Sequence, residues 1–364
     1  MKFIFILFSG LFLVACGTSS QQTSAQNGHV KYATNFQIIE KDPNLLLPLY
    51  HPKSHKIEAS FALVKRGEHP TLPENTPTIT VPVRNMAVLS STFIGMLNEL
   101  HSLDCVKMTT SENYLWNKTI KKRIKKGTCS AVSSDEAISP ELVVKNKIEL
   151  IVFSGFGQPF PNESKLTQLG VVSLPNYDWE ETTALGKLEW IKLFGALTGK
   201  LQEATTYFTL VEDKYKALKK QAASNKSTNS RTIVGDFYGD NWFAPAGDSY
   251  MARMLKDAGI NYIYHNEKGT ASLQLSPEQV MKDERSCSVW INAEGTSLGE
   301  LIKNDQKRKQ LTVLKKHQVY SYLHDSNYFW EMSAVHPEWL LSDFCQIAQN
   351  KQTNPLFFYK KLKE

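Results

Sequence analysis

The sequence predicts an α/β protein of two lobes, each with a mostly parallel sheet, joined by one long helix. Three observations carry this. Short apolar runs alternate with helical segments from about residue 84 and again from residue 231, the pattern of βαβ units. Between the two series, Leu201, Ala204, Phe208, Val211, Tyr215 and Leu218 recur at spacings of three and four and make one apolar stripe. Finally, SPELV (139–143) running into ELIVF (149–153) is matched in the second series by SPEQV (276–280) running into CSVWI (287–291).

In the first series NMAVLSS (85–91) reads as a buried strand, followed at once by a helix with Phe93, Leu97 and Leu100 on one side. CVKMTTS, CSAVSS, ELIVFSG and VVSLP follow as strands. ETTALGKLEWIKLFGALTG is helical to Gly199, and residues 201–222 extend a second helix by about 33 Å, the width of a domain. SNKSTNS is a surface turn. The second series has a strand at 231–237, a helix at 248–258, NYIYH, LQLS, a helix from Pro277, CSVWINA, a helix near 297–303 and QVYSYL. A last helix from Pro337 carries Trp339, Leu340, Phe344 and Ile347 on one side. The expected division is a leader at 1–15, a tether at 16–30, an N-terminal lobe with an extension at 31–180, a helical connector at 181–224, a C-terminal lobe at 225–350 and a tail at 351–364.

The first residues carry one lysine and an apolar run from Phe3 to Ala15, shorter than the roughly 20 residues of a membrane span and ending in small residues, as a secretory signal does. Leu13-Val14-Ala15-Cys16 resembles the lipobox of bacterial lipoproteins, which implies cleavage before Cys16 and a lipid on its sulfur; an ordinary signal peptide is the alternative. Gly17 to Gly28 has no large apolar residue and reads as a flexible tether. The net charge is +6, and KKRIKK at 121–126 is a solvated face with no accompanying nucleic-acid motif. Besides Cys16 there are four cysteines; Cys105 and Cys129 each begin a strand, and either bridge each other or remain two buried thiols.

No G-x-S-x-G elbow or phosphate-cradling glycine loop is present, and Asp135-Glu136 and Glu180-Glu181 read as helix-start charges, so no enzymatic site is expected. The histidines are scattered, which argues against a bare metal ion held by protein ligands. In open α/β sheets ligands collect at the carboxyl ends of the strands. The residues that follow the strands alternate aromatic rings with small hydroxyl and polar residues: Ser91, Thr92, Tyr114, Trp116, Ser134, Ser154, Gly155, Phe156 and Trp179, then Trp242, Ser249, Tyr250, Asn292, Phe329 and Trp330. Such a set suits a flat or bulky organic ligand. Glu141 and Glu278 each follow a Ser N-cap and a Pro at the first helical turn, which by helix physics alone makes them helix-start charges.

NYDWEETTALGKLEWIKLFGALTG, NWFAPAGDSYMARMLKDAGINY and FWEMSAVHPEWLLSDF, with the leader and the single helical connector, resemble the substrate-binding proteins of bacterial ABC importers for iron complexes, haem and cobalamin. The resemblance covers about residues 60–350. It implies a ligand cleft between the lobes and, on Glu141 and Glu278, one glutamate per lobe docking on the permease dimer, which works with its ATPase subunits. It also implies a lipid-anchored monomer in the cell envelope with no resident cofactor. The ligand would be a ferric siderophore or a related iron complex, with cobalamin or haem as the alternative and an exported chelate-modifying enzyme as the competing class.

Overall fold

A computed structural model describes residues 29–72, 76–133, 138–224, 229–322, 328–351 and 354–364. Cys16 and Ser134 lie outside these residues. An added sheet precedes the first lobe: β1 (Ile39–Lys41), β2 (Asn44–Tyr50) and β3 (Ile57–Lys65) form an antiparallel meander, and β4 (Thr78–Val81) runs parallel to β3. Leu47, Leu49, Phe61 and Leu63 are buried from its two long strands.

The N-terminal lobe is built on β5 (Met86–Val88), β6 (Val106–Thr109), β7 (Ser130–Ala131), β8 (Leu150–Ser154) and β9 (Val172–Asn176), in the order 7-6-5-8-9 and parallel throughout. Leu150, Ile151 and Val152 are fully buried, as expected of a central strand covered on both faces. Of the two readings left open for Cys105 and Cys129, the structure has the unbridged one: both are free thiols. Register explains this. Met108 pairs with Ser130, which puts Cys129 opposite Lys107 rather than Cys105, and a two-residue offset across neighbouring strands separates the Cα atoms by about 8 Å, beyond disulfide reach.

The connector comprises the helices Ala184–Glu189 and Ile191–Thr198, ended by left-handed Gly199, and the 24-residue helix Leu201–Ser224, about 36 Å long. Ala204, Phe208, Val211 and Tyr215 of the predicted stripe are buried. Glu180-Glu181 departs from its reading as a pair of helix-start charges. Glu181 accepts hydrogen bonds from the Thr34 and Asn35 amides and from Trp190 Nε1, and buried Glu189 accepts from the Lys31, Tyr32 and Ala33 amides while pairing with Lys192 at 2.6 Å. The chain at 31–35 is thus clamped onto the connector.

The C-terminal lobe contains β10 (Arg231–Val234), β11 (Asp236–Tyr238), β12 (Asn241–Pro245), β13 (Asn261–Tyr262), β14 (Ser272–Leu275), β15 (Val289–Ile291), β16 (Val319–Tyr322) and β17 (Tyr359–Lys361). Its main sheet has the order 13-10-15-16-17, parallel except for β17, and β11-β12-β14 form a small antiparallel sheet. The strand expected at 231–237 breaks at Gly235. Its φ of +114° and the 2.0 Å that a Cβ there would leave to the Phe243 carbonyl oxygen admit only glycine. The residues expected as a tail supply edge strand β17 instead, because Tyr359 and Leu362 are buried against the sheet.

The lobes meet around the helix Phe329–Met332, which packs on the N-terminal lobe's helix Ser91–Glu99 so closely that a Cβ on Gly95 would lie 1.9 Å from the Glu331 carbonyl oxygen. The buried Glu331 carboxylate accepts from the Trp116 and Asn117 amides at 2.7 and 3.0 Å. Beside this contact His336 lies 3.8 Å from Glu99 and 3.2 Å from Glu338, and Tyr207 of the long helix donates to the Val335 carbonyl.

Candidate functional site

Parallel strands bring their carboxyl ends together, so the residues just after β5, β6, β8 and β9 gather at one edge of the N-terminal sheet, where a ligand would be expected. Ser91 and Thr92 open the helix after β5, half-buried, and Tyr114, after β6, is 56% exposed. Trp116 is half-buried, its amide held by Glu331. Ser154 ends β8 and, with Thr110, Ser133, Phe153 and Phe156, lines a cavity of about 470 Å³ that among the described residues is lined by uncharged side chains. Phe156 and Trp179 follow β8 and β9; they are 71% and 40% exposed, and their ring centroids lie 5.1 Å apart. Trp179 Nε1 donates to the Gly155 carbonyl at 3.0 Å, which locks the indole in place. Gly155 itself is buried: a Cβ there would stand 2.4 Å from the Tyr177 ring, so it shapes this edge through its lack of a side chain.

The C-terminal lobe contributes a second set of residues at its own strand ends. Asn292 follows β15 with a left-handed φ of 68° and accepts from the Tyr359 hydroxyl. Tyr322, at the end of β16, packs its ring 4.7 Å from Phe329 and 6.0 Å from Trp330. Trp330 is 43% exposed. Tyr250 opens the helix Tyr250–Asp257, and the Lys187 ammonium of the connector lies 5.6 Å above its ring while pairing with Asp178 at 2.9 Å. Burial opposes the charge on Lys187, but the Asp178 carboxylate outweighs it and holds the ammonium's pKa above its ordinary value. One cation is thereby held between Asp178 of the N-terminal lobe and Tyr250 of the C-terminal lobe.

Three predicted cleft residues are placed elsewhere. Trp242 is fully buried, edge-on to Phe237, with its Nε1 donating to the Val234 carbonyl. Phe329 is buried among Trp330, Phe358 and Tyr359. Ser249 is buried as the N-cap of its helix, accepting from the Ala252 amide and donating to the Ala246 carbonyl, so its hydroxyl is spent. On the small sheet, Tyr238 and Phe243 are the exposed rings, with Phe243 one residue from the buried Trp242. Tyr322, Lys187 and Phe243 were not anticipated. A tyrosine at the last position of a strand is the one signal that points to Tyr322.

Glu141 and Glu278 occupy equivalent places, one per lobe. Each is exposed in the first turn of a short helix, Pro140–Lys145 and Pro277–Asp283, after a Ser N-cap whose hydroxyl accepts from the amide three residues on. Each carboxyl is held below its ordinary pKa, chiefly by its own backbone amide and then by the capping serine. Two fixed negative charges therefore project from the surface. Among the described residues no group of three His, Cys, Asp or Glu converges as a metal site, and no helix is long and apolar enough to cross a membrane.

Residues 86–325 match the periplasmic binding protein family. An uncharacterized lipoprotein of Methanocaldococcus jannaschii is 24% identical over 345 residues, 87% of this chain and 81% of its own length. A solved structure described as an ABC-type Fe3+-hydroxamate transport system from Saccharomonospora viridis superposes with a TM-score of 0.54 at 15% identity, covering 73% of this chain and 93% of that one. The periplasmic vitamin B12 binding protein of Vibrio cholerae superposes with a TM-score of 0.53 at 17% identity, covering 75% and 99%. The two-lobed fold and the match over more than half of its length place this chain in the periplasmic binding protein family. It is a binding protein, not an enzyme.

Proposed function

We propose that the protein is the substrate-binding component of an ABC importer, that it captures a ferric siderophore or related iron complex between its lobes, and that it passes this cargo to the permease dimer. In this reading a lipid on Cys16 holds it at the outer face of a membrane, in keeping with the lipoprotein relative. Glu141 and Glu278 each meet one permease subunit. The observation that carries the reading is the set of large aromatic side chains left exposed at the strand ends, Tyr114, Phe156, Trp179, Tyr238 and Trp330. Apolar surface gathered around a cleft is a ligand's place, and rings with few charges favour a bulky organic chelate over a bare ion. The Fe3+-hydroxamate and vitamin B12 systems among the structural neighbours support the ligand class.

The test is the absorption spectrum of protein purified from its native host, followed by titration with a ferric tris-hydroxamate, a ferric tris-catecholate, haem and cobalamin. A ferric charge-transfer band, with stoichiometric and reversible binding, is expected. A Soret or corrin spectrum moves the cargo to haem or cobalamin. Binding to none of the four, or turnover of any, overturns the reading.

A further inference from the structure

We propose that the β2–β3 turn, residues 51–56, is a wall of the ligand site, and that Lys53 on it selects for complexes with an anionic, oxygen-rich face. The inference rests on the binding reading above and adds an element lying before the family match, which starts at residue 86. His51, Pro52 and Lys53 enclose a concavity of about 150 Å³ together with Gly155, Phe156, Gly157, Tyr177, Trp179 and Glu180. The exposed Phe156–Trp179 pair, which the cleft presents to ligand, thus has the turn as its neighbour. The turn is held in place. Tyr177, just past β9, donates its hydroxyl to Glu58 at 2.8 Å, and the His51 amide donates to the Lys56 carbonyl at 2.9 Å.

Charge and hydrogen-bonding capacity point to the ligand's chemistry. The Lys53 and Ser54 amides both donate to His51 Nδ1 at 3.3 Å, so a neutral His51 ring carries its proton on Nε2 and presents a donor. The mouth therefore offers the His51 Nε2–H and the exposed Lys53 ammonium against the carboxylate of Glu180, while Glu58 is engaged by Tyr177. Two donors and one acceptor beside a pair of rings fit the carboxylate, catecholate or hydroxamate oxygens around a metal complex. Among these, the ammonium favours complexes with net negative charge.

The full-length protein in detergent is titrated with a trianionic ferric tris-catecholate and a neutral ferric tris-hydroxamate. Lys53→Glu is expected to raise the Kd for the anionic complex by about 10-fold or more and to change that of the neutral one by less than about 2-fold, because the substitution replaces an attraction with a repulsion. Glu180→Gln should shift the anionic complex the opposite way. Lys315→Glu, the same charge change at an exposed site before β16, should leave both unchanged. The inference is overturned if Lys53→Glu matches Lys315→Glu or weakens both complexes equally. Wild-type protein that binds neither these complexes nor haem or cobalamin overturns the functional reading as well, whereas wild-type binding with a silent Lys53 overturns this inference alone.

Discussion

Two tryptophans at strand ends have opposite jobs. Trp179 is partly exposed with its indole nitrogen tied to Gly155, so Trp179→Ala should leave the unfolding midpoint nearly unchanged and weaken the cargo's binding by about 10-fold, the worth of a lost ring contact. Trp242 is wholly enclosed, so Trp242→Ala should cost about 3–5 kcal/mol of stability, read by urea unfolding. The sequence could not separate them: neighbouring strand residues point to opposite faces, so either Trp242 or Phe243 had to be inside, and nothing in NWF says which. His336 carries a pH dependence. Burial opposes its charge, but Glu338 and Glu99 outweigh that and raise its pKa above 6.5, and Glu99 is lowered below 4.5 because His336 outweighs its own burial. The raised group stabilises fully below pH 6.5 and loses this as pH rises through the folded value; the lowered one stabilises above pH 4.5 and loses this as pH falls. Stability from the pair should peak between pH 4.5 and 6.5. His336→Gln should flatten the decline in urea midpoint above pH 6.5.

At the scale of elements, a single 24-residue helix spans the lobes, reinforced by the Glu331 carboxylate gripping the Trp116 and Asn117 amides. One packed helix resists bending more than a pair of extended strands would, so X-ray scattering should show only a small change in radius of gyration when cargo is added. A large compaction would contradict this. Gly95→Leu, which drives a side chain into the Glu331 backbone, should lower stability and enlarge the apo particle. Elements read from apolar alternation, β5 to β10 and β13 to β16, stand close to where the sequence places them, since buried parallel strands are written as short apolar runs between helices; β12 was not foreseen, and the strand expected at 231–237 divides into β10 and β11. The sheet β1–β4 was missed because a meander with Pro48 inside and no intervening helix breaks that rhythm. Three-residue β17 was missed because its YKK sequence matches a polar tail and only its pairing with β16 makes it a strand.

For the whole molecule, Glu141 and Glu278 predict a division of labour between capture and delivery. Charge reversal at both should leave cargo affinity unchanged, since both lie on surface helix starts, yet abolish uptake in cells if each glutamate, in its proposed docking role, meets a positive group of a permease subunit. Normal uptake by the double variant, or loss of cargo binding in a folded one, would refute the assignment. The repeated Ser-Pro-Glu was legible because helix caps are local, whereas the cleft was legible only as a set of strand ends whose depth depends on tertiary packing. If a lipid on Cys16 moors the protein, as proposed, the clamp of residues 31–35 on Glu181 and Glu189 has a mechanical consequence. Any pull along the leash enters the molecule at the connector, the part that both lobes share, instead of at either lobe. Drag or collision at the membrane is then borne by the hinge's own frame, and the grip of the lobes on their cargo is not loaded by it.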